Sequence, residues 1–311
     1  MISCTDFIAA YNELFSFVEE QYGRQEVGKL WQYLFAPTGA GIPLINYVKQ
    51  EGIRGCFDYW SGTLSEEAAD FTLYLNEARG YFNLVMHHCP SKGRLLELKE
   101  TLGIVPYHNY CFHCDSYRSA VEAVGLKYIY DFKNIDQAAC SILIFDPELF
   151  DGQIIVDDNT EVFSQRAEDH EYYHPDFHSS MNMAIQYLDE NHGAVAVHKY
   201  LVRLADTVYK HTIDDACQRG LAAIKEWIAS TYRREKATDA ITIDLTRDAL
   251  RVSVTYCPAV KHLKATGRQT SPLFMLTTQV VMEEIARKSG FRFQMDAYDA
   301  DTGAASYRFL T

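Results

Sequence analysis

The densest run of side chains able to do chemistry is His108-Asn109-Tyr110-Cys111-Phe112-His113-Cys114-Asp115, preceded by His87-His88-Cys89 and followed by Cys140. Thiolates and imidazoles are the usual ligands of zinc and other borderline-soft metals. His88, Cys111 and Cys114 are therefore candidate metal ligands, with zinc as the candidate ion, and His113 is a candidate acid–base residue. The spacing is not a zinc-finger signature, because Cys111 and Cys114 form one C-x-x-C with no second such pair. A lone C-x-x-C can also be a redox pair, although no thioredoxin-like βαβ context surrounds it. Buried free thiols beside a surface histidine remain the plain alternative.

A second concentration is Tyr172-Tyr173-His174-Pro175-Asp176-Phe177-His178. If Asp176 caps the helix that follows by accepting a backbone N–H, His178 falls in the first helical turn. There the helix dipole favours neutral imidazole, a form able to ligate a metal or accept a proton. His174 and His178 are thus candidate catalytic residues. His192, His198 and His262 read as structural or surface histidines.

The elements that must carry these residues are written twice. Asp6-Phe7, Asn12 and Gly23 match Asp176-Phe177, Asn182 and Gly193, each 170 positions on. Gln50, Gly52, Arg79 and Cys89-Pro90 match Gln218, Gly220, Arg247 and Cys257-Pro258 at 168. The offset then shrinks through Pro106/Pro272, Gly125/Gly290 and Asp131/Asp296 to Phe145/Phe309 at 164. A steadily shrinking offset is what a few deletions in one copy leave, so the chain reads as a tandem duplication. The expected division is 1–150 for repeat unit one, 151–175 for an acidic linker and 176–311 for repeat unit two.

Each copy opens with an amphipathic helix, Phe7 to Val18 or Phe177 to Leu188, before a glycine. A second helix (25–35 and 194–209) and a third (42–60 and 213–232) follow, then an alternating strand at Tyr81 to Met86 or Leu250 to Thr255. Proline suits the first helical turn, so Cys89-Pro90 and Cys257-Pro258 mark strand-to-helix junctions with cysteine at the helix entrance. A helix at 109–124 or 273–288 ends at Gly125 or Gly290, and two strands close each copy as a hairpin. The linker carries one short strand at Ile154 to Val156. The order gives an α+β fold with a helical part and a small antiparallel sheet in each copy.

Comparing the copies singles out what is unequal. Thr277 stands for Cys111, Gln279 for His113, Val280 or a neighbour for Cys114 and Ala304 for Cys140, so a site built from these residues belongs to copy one. His174 and His178 are specific to copy two, facing Cys4 and Ile8 of copy one. Cys89 and Cys257 occur in both, which favours a structural role, and Cys56 and Cys217 read as inert core thiols.

The 311 residues carry a formal charge of −13. That balance argues against nucleic acid and anionic membranes, since duplex binding draws on Lys and Arg neutralising phosphates. No apolar run is long enough for a membrane helix, and the first residues lack the basic start of a secretion signal. The reading is a cytoplasmic protein whose eight cysteines are thiols or ligands, open to assembly as a homodimer. No nucleotide-binding glycine loop or serine-hydrolase elbow is present.

Val85 to Cys89, Cys111 with Asp115, Gly125 to Asp131, and Cys140 before the apolar run Ser141 to Phe145 together resemble the L-2-amino-thiazoline-4-carboxylic acid hydrolase-like family. More distantly they resemble small-molecule-binding domains of the 4-vinyl reductase type. The resemblance covers about 60 residues of copy one, and Cys89, Cys111 and Cys140 match family cysteines. It implies a hydrolase for C–N bonds other than peptide bonds, acting on a small cyclic C=N substrate in repeat one or between the repeats. A non-catalytic protein that binds a small molecule, a metal or a tetrapyrrole is the alternative.

Overall fold

The computed structural model describes residues 2–35 and 41–311. In chain order the first elements are α1 (Phe7–Tyr22), α2 (Arg24–Phe35), α3 (Gly41–Glu51) and α4 (Arg54–Glu66), then β1 (Asp70–Asn76), β2 (Tyr81–His88) and α5 (Pro90–Leu102). A 3-10 run at Tyr110–Ser116 leads into α6 (Tyr117–Glu122), β3 (Lys127–Asp131), β4 (Cys140–Phe145) and β5 (Glu161–Gln165). Four helices follow: α7 (Phe177–His192), α8 (Ala194–Val208), α9 (Lys210–Arg219) and α10 (Leu221–Arg234). The chain closes with β6 (Ile241–Leu245), β7 (Ala249–Val254), α11 (Pro258–Ala265), α12 (Leu276–Lys288), β8 (Arg292–Tyr298) and β9 (Ala305–Leu310).

The fold is α+β with two small antiparallel sheets, ordered β3-β4-β2-β1-β5 and β8-β9-β7-β6. The two orders agree strand for strand, and β5 is the addition. The expected third helix of each copy is two helices, because Gly52 and Gly220 at φ 61° and 70° interrupt it. That left-handed conformation is one glycine adopts without the steric cost other residues incur. Pairing register also moves one match. Tyr81 faces Phe145 and Ala249 faces Leu310, so Leu310 is the counterpart of Phe145, and Phe309 corresponds to Ile144. Cys140 accordingly corresponds to Ala305 and not Ala304; a slip of one residue would have put each side chain on the wrong face.

The chain clusters into two compact units that do not follow the sequence boundaries 1–150, 151–175 and 176–311. One is Tyr22–His174, and the other is Met1–Gln21 with Pro175–Thr311. Below they are the inserted unit and the closing unit.

In the inserted unit, alternate strand residues face the helices. Phe71, Leu73, Leu75, Phe82, Leu84, Met86, Ile142 and Ile144 are buried in one cluster with Phe57, Trp60 and Leu64 of α4. Burial of that apolar surface is the main drive to form the layer. Helices α3 and α4 meet at Gly55, where a Cβ would stand 2.6 Å from the Val48 backbone nitrogen. Part of the acidic connector belongs to the sheet. β5 pairs with β1 from Phe71/Gln165 to Leu75/Glu161, whereas 154–156, expected as a strand, is not one. Asn76 donates to Asp157 at 3.0 Å and Arg79 to Asp151 at 2.9 Å, holding the connector to the β1–β2 turn.

In the closing unit, Leu250, Val252, Val254, Tyr307 and Phe309 form the buried face of the sheet. The openings of α1 and α7 lie together, with Phe7 and Phe177 stacked at 4.3 Å. Asp6 does not act as a cap, since it pairs with Arg234 at 2.7 Å. Asp176 occupies the cap position but is already helical, at φ −65° and ψ −14°, and makes no capping bond. Its carboxylate accepts from the Ser179 hydroxyl at 2.7 Å instead. A capping side chain needs the extended backbone that Asp176 lacks.

Candidate thiol-lined site

Both Cys-Pro junctions take the expected form, with Cys89 and Cys257 at the N-caps of α5 and α11 and proline next. The Cys89 N–H donates to the Ala138 carbonyl at 2.6 Å, and that of Cys257 to Thr302 at 2.9 Å. This bond brings the loop before β4 onto the start of α5. Cys89 and Cys140 thereby reach the 3-10 run that carries Cys111, His113 and Cys114. All five side chains line one cavity of about 20 Å³, with Lys92, Tyr110 and Tyr130 beside them. Such a volume holds about one water-sized particle.

The electrostatics of the cavity follow from burial. It pushes the Cys89 and Cys111 thiols up to about 12 and that of Cys140 to about 11, with neighbouring cysteines adding to the first two. Cys114 is raised well above the ordinary thiol range for the same reasons. Desolvation brings His113 down to about 4, so its ring is neutral near pH 7. The His113 Nδ1 bonds the Tyr110 carbonyl, which leaves Nε2 facing the Cys114 Sγ at 3.6 Å. A bound cation inverts this logic, since a coordinating thiol is deprotonated outright. Four sulfurs and an imidazole are the donors a borderline-soft ion prefers. No three of these donor atoms are as close as the 4.8 Å within which Cys4, His178 and Glu235 bring theirs. Holding one ion would therefore need side-chain rotation.

A larger groove of about 570 Å³, the size of many small-molecule sites, lies on the solvent side of the same sheet. Its lining includes Asn83, His87, Asp131, Lys133, Asn134 and Ile154. The His87 Nε2 lies 2.8 Å from the Thr72 hydroxyl, which lies 2.9 Å from that of Ser164. Cys140 packs against the helix-side core, so the sheet separates its thiol from the groove. Cavity and groove share Ala139 and Cys140 at the start of β4.

The remaining sequence candidates lie elsewhere. His88, expected as a metal ligand, is exposed and packs over Gly93 of α5, outside the cavity lining. His88 has the core-facing parity of Met86, but it is the last residue of β2, past the edge of the core, and its ring lies over Gly93. His174, expected to be catalytic, pairs with Glu66 at 2.7 Å and lines neither cavity nor groove. His178 belongs to the closing unit, where its Nε2 lies 2.9 Å from the Glu235 carboxylate. Burial alone would raise that carboxyl, but the His178 bond and charge and the Cys4 N–H and Ser3 hydroxyl bring it down to about 2. Cys217, read as a core thiol, is exposed. His87 and Glu235 escaped the sequence reading. His87 stood beside a favoured neighbour, and Glu235 is part of no local motif.

Among the described residues no helix is long and apolar enough to cross a membrane. No family model, no curated protein and no solved structure matches the chain.

Proposed function

We propose that the inserted unit is the working part of a cytosolic hydrolase-like protein that handles a small molecule. In this reading Cys89, Cys111, Cys114 and Cys140 hold one borderline-soft divalent ion, zinc foremost, and the groove receives the ligand. The convergence of four thiols and a neutral imidazole, scattered from 89 to 140, on one cavity carries the reading. Its resemblance to hydrolases of cyclic C=N compounds supplies the reaction class, and the non-peptide C–N bond is the bond to test. A bound divalent ion would supply Lewis acidity, and an acidified water only where one of the four thiols stays off it and leaves a position open. His113, its Nδ1–H held by the Tyr110 carbonyl, would offer its Nε2 lone pair beside Cys114 as a further donor, and His87 with Asp131 would supply polar contacts in the groove. The second copy lacks the cysteine set and serves as scaffold or as a pairing surface for a homodimer.

Binding without turnover is the competing reading, favoured by the sheet that stands between the Cys140 thiol and the groove. Metal analysis of protein purified without chelator, paired with Cys111→Ser/Cys114→Ser, tests the centre. The double replacement should remove one equivalent of metal, and unchanged content sinks the metal reading. Hydrolysis of cyclic amidines and thiazolines by wild type, lost on Asp131→Asn or His87→Gln, supports the enzyme. Ligand binding with no turnover leaves the binding protein.

A further inference from the structure

The closing unit holds a second donor cluster that is independent of the cavity. Cys4, His178 and Glu235 are each buried, at 1%, 4% and 2% exposure. Their sulfur, imidazole nitrogen and carboxylate oxygen all lie within 4.8 Å of one another. They come from three places: the arm before α1, the first turn of α7, and the residue that caps α10. Two of them occupy sequence positions at which the copies differ, Cys4 matching His174 and His178 matching Ile8 at an offset of 170.

The polar geometry around them is tight. Glu235 Oε2 lies 2.9 Å from His178 Nε2, while Oε1 accepts from the Ser3 hydroxyl at 2.8 Å and the Cys4 N–H at 2.6 Å. A carboxylate withdrawn from water is costly unless positive charge accompanies it; His178 provides this without an ion, and a bound cation would provide it in its place. His262, whose ring centre lies 6.4 Å from that of His178, is already engaged with Asp176 at 3.3 Å. One sulfur, one imidazole and one carboxylate form a ligand set that zinc takes in proteins, and here all three donors are buried between the N-terminal arm, α7 and α10.

We infer that Cys4, His178 and Glu235 form a structural binding site for a divalent metal ion of the zinc class, which clamps the N-terminal arm to α7 and α10. Binding releases the Cys4 thiol proton and the proton that His178 Nε2 donates to Glu235, and replaces that contact by bonds to the ion. A fourth position falls to water or to the Ser3 hydroxyl.

The test uses the full chain with cobalt(II) as a spectroscopic substitute. In Cys111→Ser/Cys114→Ser protein, which leaves the closing unit untouched, one equivalent of cobalt should bind with a charge-transfer band of single-thiolate intensity. Adding Cys4→Ser should abolish that band, and adding His178→Gln should weaken binding at least tenfold. A double variant that binds no cobalt overturns the site, as does a band that survives Cys4→Ser or one with the intensity of two thiolates, which points to Cys89 and Cys140. The first and last of these are read without touching Cys4, so a Cys4 variant that fails to fold leaves the inference open to refutation. Loss of metal in the Cys111/Cys114 comparison bears on the cavity alone, so the two sites fail separately.

Discussion

Two glycines of α4 separate what helix propensity predicts from what packing predicts. Alanine exceeds glycine by about 1 kcal/mol in a helix interior. At Gly62, where nothing lies within 4 Å of an added Cβ, Gly62→Ala should realise most of that gain. At Gly55 the added carbon would meet the Tyr47 carbonyl and the Val48 nitrogen of α3. These are backbone atoms that no rotamer change can move. Overpacking of this kind costs typically 1–3 kcal/mol, and rigid partners place it near 3, so Gly55→Ala should lose roughly 2 kcal/mol net. For a unit of this size that is a fall in Tm of roughly 4–8 °C. Urea and thermal unfolding followed by tryptophan fluorescence would report it, because Trp60 lies in α4 itself. Gly55→Ala protein as stable as Gly62→Ala protein would refute the close approach of α3 and α4, and with it the account of how α4 is seated on the sheet.

Ala138 is held at φ 58° in the cavity wall, and its counterpart Gly303 at φ 66°. Ala138→Gly should stabilise the inserted unit by up to about 1 kcal/mol, measured by denaturant titration, because a left-handed alanine is strained by about that much. The reverse change, Gly303→Ala, adds a carbon against Cys257 Cβ and 3.0 Å from Val260 Cγ2, and should cost about 3 kcal/mol in the same assay. Glu284 is buried and its bond to Arg287 holds its carboxyl below the ordinary glutamate range. Its folded value lies under the unfolded one, so the stability it adds is complete at neutral pH and is lost as pH falls below about 4.3. Glu284→Gln should flatten the acid limb of the stability curve, and an unchanged slope would refute the assignment.

Much of the architecture was legible because it repeats. The Cys-Pro junctions, the closing hairpins and the opening helices each left a periodic or capping signal in both copies. β1 and β6 left none, since they follow a helix closely and their register is set by β2 and β7. The third helix was read as one because its apolar spacing runs on through Gly52 and Gly220. Within the site, Cys111, His113 and Cys114 were found by local density. Cys89 was set aside as structural because it recurs, yet it both caps α5 and lines the cavity. His88 shares the inward parity of Met86, but β2 ends there, beyond the core, and nothing in the local sequence marks that end. Glu235 was invisible, 57 positions from the histidine it meets.

The division of the chain sets an order of events during synthesis. Residues 22–174 are contiguous and emerge with everything the inserted unit needs. Residues 1–21 emerge first but belong with 175–311, so α1 must wait through the translation of a whole unit before its partners exist. Its apolar stripe, Phe7, Leu14, Phe15 and Val18, therefore stays uncovered on the nascent chain until residues 175–311 follow, the kind of exposed surface that favours aggregation.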